Sequence, residues 1–174
     1  MKGKELMDKK DLKFEDFLMD VDPAYHIFVT QTHDLLLENG CSIKMDLAKN
    51  GYLVSYSDRN KRVLLNFVFR KSGLITRIYG DNVNGYNDFL ETLPGEMVKA
   101  IEKAPVCKRL IDITKCNSKC RMGYDFTLKD TQYQKCQYNC FMFLVTDENV
   151  PFISKFLTKE LKARMGAVYG KENP

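Results

Sequence analysis

The stretch "KCNSKCRMGYDFTLKDTQYQKCQYNC", Lys115 to Cys140, carries four of the chain's six cysteines as two Cys-x-x-x-Cys pairs. Two local pairs of thiolates brought together by a hairpin are a common way for a chain to offer zinc a closed tetrahedron. Cys116, Cys120, Cys136 and Cys140 are therefore the expected ligands of a structural Zn²⁺ site. An iron–sulfur cluster takes the same four thiolates and is the alternative cofactor. The spacing of three departs from the usual two, yet thiols at i and i+4 can share one helical face. Lys108, Arg109, Lys115, Lys119, Arg121 and Lys135 surround the block. Those cations would offset the dianionic charge of a zinc tetrathiolate and depress the thiol pKa values. Cys107 is a candidate substitute ligand. Two competing readings stay open, cysteines as small buried hydrophobes and cysteines as redox-active thiols. Cys41, next to Gly40, reads as a packed residue.

Other chemistry-bearing residues give weaker signals. His26 and His33, seven positions apart, share one side of a helix and read as its solvated side rather than as metal ligands. "DNVNGYND" has calcium-loop residue types but fails in both registers, with Val83 third from Asp81 where a ligand should stand and Asn87 sixth from Asn82 where the glycine should, so a turn with a helix cap is the plainer reading. A phosphate-cradling glycine loop, a nucleophile elbow and a kinase signature are missing from the sequence. That lowers the case for an enzyme.

The elements that must position these residues follow from pattern. Residues 11–19 and 23–39 read as helices, the second opened by Asp22 and Pro23 and closed by Gly40. Period-two alternation then gives strands 51–57, 62–70 and 74–79, with turns at Arg59-Asn60 and Ser72-Gly73. That register sets Tyr52, Val54 and Tyr56 opposite Phe67, Leu65 and Val63 as the core face. The reverse face mixes Ser55, Asn66, Arg77 and Tyr79 with Leu53, Leu64 and Val68. Convergent polar groups among apolar walls suit a small-molecule cleft, for which Asn66, Arg77 and Tyr79 are the candidate contacts. Helices at 82–93 and 95–103 follow. The cysteine block is a hairpin over 123–135 turning at Lys129-Asp130, then a strand at 141–145 and a helix at 147–164 capped by Thr146 or Asp147.

The expected fold class is α+β, an antiparallel sheet with helices packed on one face and a cysteine-rich C-terminal hairpin, strand and helix. The texture divides the chain at 1–105 and 106–174, the two parts packing as one domain. "NVNGYNDFL" (82–90) and "NVPFISKFL" (149–157) share residues at equal spacing, which suggests a degenerate internal duplication.

Composition bounds the function. With 44% hydrophobic residues the chain can fill a core, and no apolar run approaches the length needed for a membrane span. No secretory h-region is legible near the start, so the expected location is the cytoplasm. A net charge of +4 is too small to indicate a nucleic-acid partner by itself.

At "LLNFVFRKSGLITRIYGDN", and again at the cysteine block with its continuation "CFMFLVTDE", the chain resembles an uncharacterised family of small bacterial cytoplasmic proteins. Over roughly residues 11–103 its layout is similar to YdhG-like proteins of unknown function. The resemblance implies an α+β fold around a ligand cavity and supplies no catalytic residues. The cysteine block departs from that layout. The combined expectation is a non-enzymatic binding or regulatory module with a structural zinc site and a small-molecule cleft. The alternative is a redox or metal-dependent enzyme.

Overall fold

A computed structural model describes residues 12–169, with side chains described to position 166. The fold is α+β: a five-stranded antiparallel sheet of order β1-β2-β3-β4-β7 and a separate β5-β6 hairpin, joined by helices. The chain divides into two compact units after Leu74. Position 105, where the texture of the sequence changes, lies inside the second unit.

In the first unit α1 (Phe14–Asp20) leads through a 3-10 turn at Pro23–Tyr25 into α2 (His26–Glu38). Asp22 caps that entry by accepting the Ala24 N–H at 2.9 Å, and Pro23 occupies the first helical position, where its missing N–H costs nothing. The exit is a Schellman turn in which Cys41 N–H donates to Leu36 O at 2.9 Å and Gly40 takes φ +79°. A β-carbon at Gly40 would also stand 2.5 Å from the Arg59 guanidinium.

Strands β2 (Gly51–Ser57), β3 (Val63–Arg70) and β4 (Gly73–Ile78) lie where the alternation places them. Their register does not. Val54 faces Phe67 and Tyr56 faces Leu65, a slip of two residues from the expected pairing. Asp58 is the cause. Its carboxylate accepts the N–H groups of Asn60 and Arg62 at 2.9 and 3.0 Å, Lys61 turns to φ +59°, and a bulge at Ser57 absorbs the wider loop. An even slip leaves every side chain on its expected face. Sequence reading also misses β1 (Ser42–Ala48), which pairs with β2 from Ser42↔Ser57 to Ala48↔Gly51. Its charged Lys44 and Asp46 make it look unlike a strand, as edge strands often do.

Phe17, fully buried, is the hub where α1 meets the sheet, with the rings of Tyr52, Phe67 and Phe69 at 6.3, 5.7 and 5.7 Å. His33 departs from the solvated role expected of it. It stacks on Phe14 at 3.8 Å and its Nδ1 lies 2.8 Å from the Tyr56 hydroxyl. Burial holds the Tyr56 phenol far above its ordinary pKa, and among the described residues its hydroxyl has no other partner. The phenol therefore keeps its proton and donates it to a neutral imidazole. His26 is likewise engaged, its Nε2 lying 2.9 Å from Val21 O.

In the second unit β4 pairs with β7 (Met142–Leu144), Thr76 facing Phe143. The expected helix at 82–93 shortens to a 3-10 turn, Val83–Tyr86, and the single turn α3 (Asn87–Leu90). Helices α4 (Gly95–Lys103) and α5 (Lys108–Ile111) precede the hairpin of β5 (Tyr124–Leu128) and β6 (Thr131–Lys135), and α6 (Val150–Tyr169) closes the chain. Thr146 Oγ1 accepts the Asn149 N–H at 3.2 Å at the approach to α6. Hairpin, strand and helix thus recur in the same order in both halves, although the second hairpin forms its own sheet.

Phe141 centres the second core, with Tyr124, Phe126 and Phe156 at 5.1, 5.6 and 4.9 Å. Only glycine fits at position 80, where a β-carbon would stand 2.9 Å from Phe141. The buried Lys135 ammonium donates at 2.7 Å to both Glu102 O and Ala104 O, capping the C-terminal end of α4 with a cation.

Two outcomes follow. Lys129 and Asp130 sit at φ +48° and +59°, the left-handed pair of a type I′ turn. Replacing them with Asn-Gly should raise stability by about 1 kcal/mol and the melting temperature by about 2–4 °C, read by calorimetry. Burial lowers the His33 pKa below its ordinary 6.5, against the opposing charges of Asp34 and Glu15. The unfolded chain then takes up the proton first, so the contribution of His33 is complete above its unfolded pKa and is lost as pH falls towards the folded value. The fall in melting temperature between about pH 7 and about pH 5 should be smaller in His33→Gln than in the wild type.

Candidate functional site

The cysteines occupy unlike environments. Cys107, Cys120 and Cys136 each receive an N–H donor at sulfur: Gly123 N–H at 3.2 Å, Gln137 Nε2 at 3.5 Å and Asn139 Nδ2 at 3.7 Å. The Cys120 sulfur in turn donates to Arg121 O at 3.0 Å. Cys116 is exposed on a turn at φ +92°. Cys140 is sealed, and burial pushes its thiol well above the ordinary value although Lys135 pulls the other way. All six are free thiols, and among the described residues no three His, Cys, Asp or Glu side chains form a group able to hold a metal as they stand. Cys116, Cys120, Cys136 and Cys140 are thus not assembled into a tetrahedron in this conformation. Cys41 is buried beside the Gly40 turn.

Gly123, too late after Cys120 for a knuckle glycine, has a different task. A β-carbon there would stand 2.1 Å from Lys135 O and 2.7 Å from the Cys107 β-carbon. The start of β5, the end of β6 and Cys107 are squeezed together at this residue. Cys107 N–H donates to Gln134 O and Cys136 N–H to Pro105 O, both at 2.9 Å, which ties the segment before α5 to the hairpin.

Beside the thiol loop lies an ion network that sequence reading missed. Glu160, fully buried, takes four donors: Arg164 Nε at 2.9 Å, Asn82 Nδ2 at 3.0 Å, Asn82 N–H at 3.1 Å and the Tyr86 hydroxyl. Burial and the facing carboxylate drive the Tyr86 phenol far above its ordinary pKa, so it acts only as a donor. Arg164 Nη2 continues to Tyr79 O at 2.7 Å and Asp81 Oδ2 at 3.3 Å. From the other side Arg121 Nη2 reaches both Asp81 oxygens at 2.7 Å. Arg121 directly follows Cys120, so one half-exposed guanidinium fastens the thiol loop to the network. The signal was present: Ile153, Phe156, Leu157, Glu160, Leu161 and Arg164 follow one apolar helical stripe, and a Glu and an Arg one turn apart on such a stripe must find each other.

The three expected ligand contacts lie on β3, on β4 and directly after β4. Arg77 and Tyr79 come together in the second unit, Tyr79 buried and its phenol raised by that burial against the pull of Arg77, with Tyr138 edge-on at 6.2 Å. Asn66 belongs to the first unit, where its Nδ2 donates to the cross-strand Ser55 Oγ at 2.8 Å. The Tyr124 hydroxyl is buried with no partner among the described residues.

Comparison with known proteins gives no match to a family model, to a curated protein or to a solved structure. Among the described residues no helix is long and apolar enough to cross a membrane.

The network itself makes a sharp test. Glu160→Ala leaves Arg164, Tyr86 and Asn82 facing an empty site and should cost about 3–5 kcal/mol in urea unfolding. Tyr86→Phe, which removes one donor to a carboxylate, should cost about 1.5–3 kcal/mol. Tyr124→Phe, whose hydroxyl has no partner to lose, should leave stability unchanged or improve it.

Proposed function

We propose that the chain is a non-enzymatic binding or regulatory module whose cysteine loop captures a soft cation, Zn²⁺. The observation that carries this reading is the set of N–H donors on the Cys107, Cys120 and Cys136 sulfurs, in a stretch rich in Lys and Arg. These three thiols are the primary ligands, and the exposed Cys116 is the fourth. Cys140, sealed and raised in pKa, is the weakest member of the set first read from spacing. The sulfurs do not stand assembled, so capture requires residues 112–122 to close over Cys136. Closing would draw on the Arg121–Asp81 contact and so alter what Asp81 offers Arg164. Metal occupancy is thereby coupled to the buried network, which is the regulatory part of the proposal. Asn66, Arg77 and Tyr79 are the candidates for a small-molecule contact.

The exposure of Cys116 favours one rival reading, a reactive or cluster-bearing thiol enzyme. Protein purified anaerobically without added metal separates the two. Elemental analysis and competition with a chromophoric chelator should find about one zinc per chain. Zinc should shield the loop thiols from a disulfide reagent, and the shielding should vanish in Cys120→Ser and Cys136→Ser but persist in Cys140→Ser. Failure to retain or take up zinc, with Cys116, Cys120 and Cys136 all reacting freely, refutes the module. A brown protein with visible absorbance would instead support the enzyme.

A further inference from the structure

The two ends of the large sheet are unequal. β7 at one end has three residues, whereas β1 at the other has seven, and among the described residues nothing pairs with its outer side. A long open edge is a template for another strand, and folded proteins normally blunt it. Along this edge runs an open groove of about 400 Å³, floored by Leu12, Phe14 and His33 and bordered by the four consecutive residues Ile43, Lys44, Met45 and Asp46. Consecutive residues of a strand point to opposite faces, so the groove follows the edge of β1 rather than one face of the sheet.

Hydrogen-bond parity says which backbone groups this edge presents. The end pairs Ala48↔Gly51, closed by the two-residue turn Lys49-Asn50, and Ser42↔Ser57 bound the β1–β2 ladder. A ladder closes on hydrogen-bonded pairs, and these alternate with non-bonded ones. Ser42, Lys44, Asp46 and Ala48 thus spend their N–H and C=O on β2, while Ile43, Met45 and Leu47 turn theirs outward.

The sequence of this strand is complementary to itself when reversed. Read antiparallel about Met45, "SIKMDLA" sets Ser42 against Ala48, Ile43 against Leu47 and Lys44 against Asp46. Small meets small, apolar meets apolar and cation meets anion. Parity requires the twofold axis to pass through a residue rather than between two, and Met45 is the choice that keeps the charges complementary, because an axis through Lys44 or Asp46 would set that residue against its own copy.

We infer that β1 is the interface of a symmetric dimer, and that its occupant is β1 of a second copy of this chain, joined antiparallel about Met45. Isologous pairing of this kind makes each contact twice. The two sheets become one continuous sheet, Lys44 exchanges its partner within the strand, Asp46 at 2.8 Å, for Asp46 of the other copy, and the half-exposed Leu47 gains Ile43 opposite. The groove leaves room beside the edge for the arriving side chains.

Sedimentation equilibrium of the full chain should show a reversible dimer. Met45→Pro removes an outward N–H that the protomer does not use, so it should keep the melting temperature and far-ultraviolet spectrum of the wild type while yielding a monomer. Lys44→Glu and Asp46→Lys each set like charges opposite one another and should weaken self-association by at least roughly tenfold. Mixed together, these two single variants become complementary and should form a heterodimer, and the double exchange in one chain should restore the homodimer. A wild-type chain that stays monomeric at roughly millimolar concentration, well above a useful affinity, overturns the inference. So does a dimer indifferent to both Met45→Pro and charge reversal, which would place the interface elsewhere.

Discussion

A carboxylate with no access to water must have its lone pairs met by protein, or it will not stay charged. Glu160 imposes that requirement on the second unit, and much of the local architecture answers it. Asn82 supplies both backbone and side chain to Glu160, and the stretch expected as helix from 82 begins instead as a tight 3-10 turn directly after it. Tyr86 closes the site from that same turn. Arg164, one helical turn along, neutralises Glu160 and extends the charge to Asp81. Buried ion pairs of this type contribute little net stability compared with apolar residues of the same shape. Their effect here is specificity: the Asn82 turn, α6 and the end of β4 have one mutual arrangement that leaves no charge unmet.

The same network gives the thiol loop its mooring. Residues 112–122 carry few buried side chains, and their hold on the rest of the unit runs through Arg109 to the Cys120 carbonyl and through Arg121 to Asp81. Arg121 is half exposed, so its ion pair is screened by solvent and weak compared with the buried pair beyond it. A segment with no buried side chain of its own, held by a few polar contacts, can change position at low cost. The segment that closes in the proposed zinc capture is thus one that is weakly held.

How much was legible depended on the range of the interactions that decide each element. The Asp22-Pro23 entry and Gly40 exit of α2, and the Lys129-Asp130 turn, are written within a few residues and were read correctly. Faces of the β2–β3 hairpin survived because alternation is local, whereas its register was lost because one aspartate side chain widened the loop. β1 was hidden by its charges, although Ile43, Met45 and Leu47 alternate as a strand should. Cysteine spacing did not reveal which sulfurs are buried. Arg77 and Tyr79, two residues apart in the sequence, were placed together by sheet alternation alone. Glu160 and Arg164 were overlooked for a simpler reason: charged residues on helices were read as solvated, without checking whether they fell on the apolar stripe.

Lys135 joins two kinds of structure at one residue. Its ammonium terminates α4 by sitting between two carbonyls, yet its backbone is the last rung of the β5–β6 ladder. Sliding that ladder by a single step would turn the lysine to the opposite surface of the hairpin and strip the helix of its cation. The helix terminus therefore acts as a ratchet pawl for the hairpin, holding in phase a two-stranded ribbon that is too small to keep its own alignment.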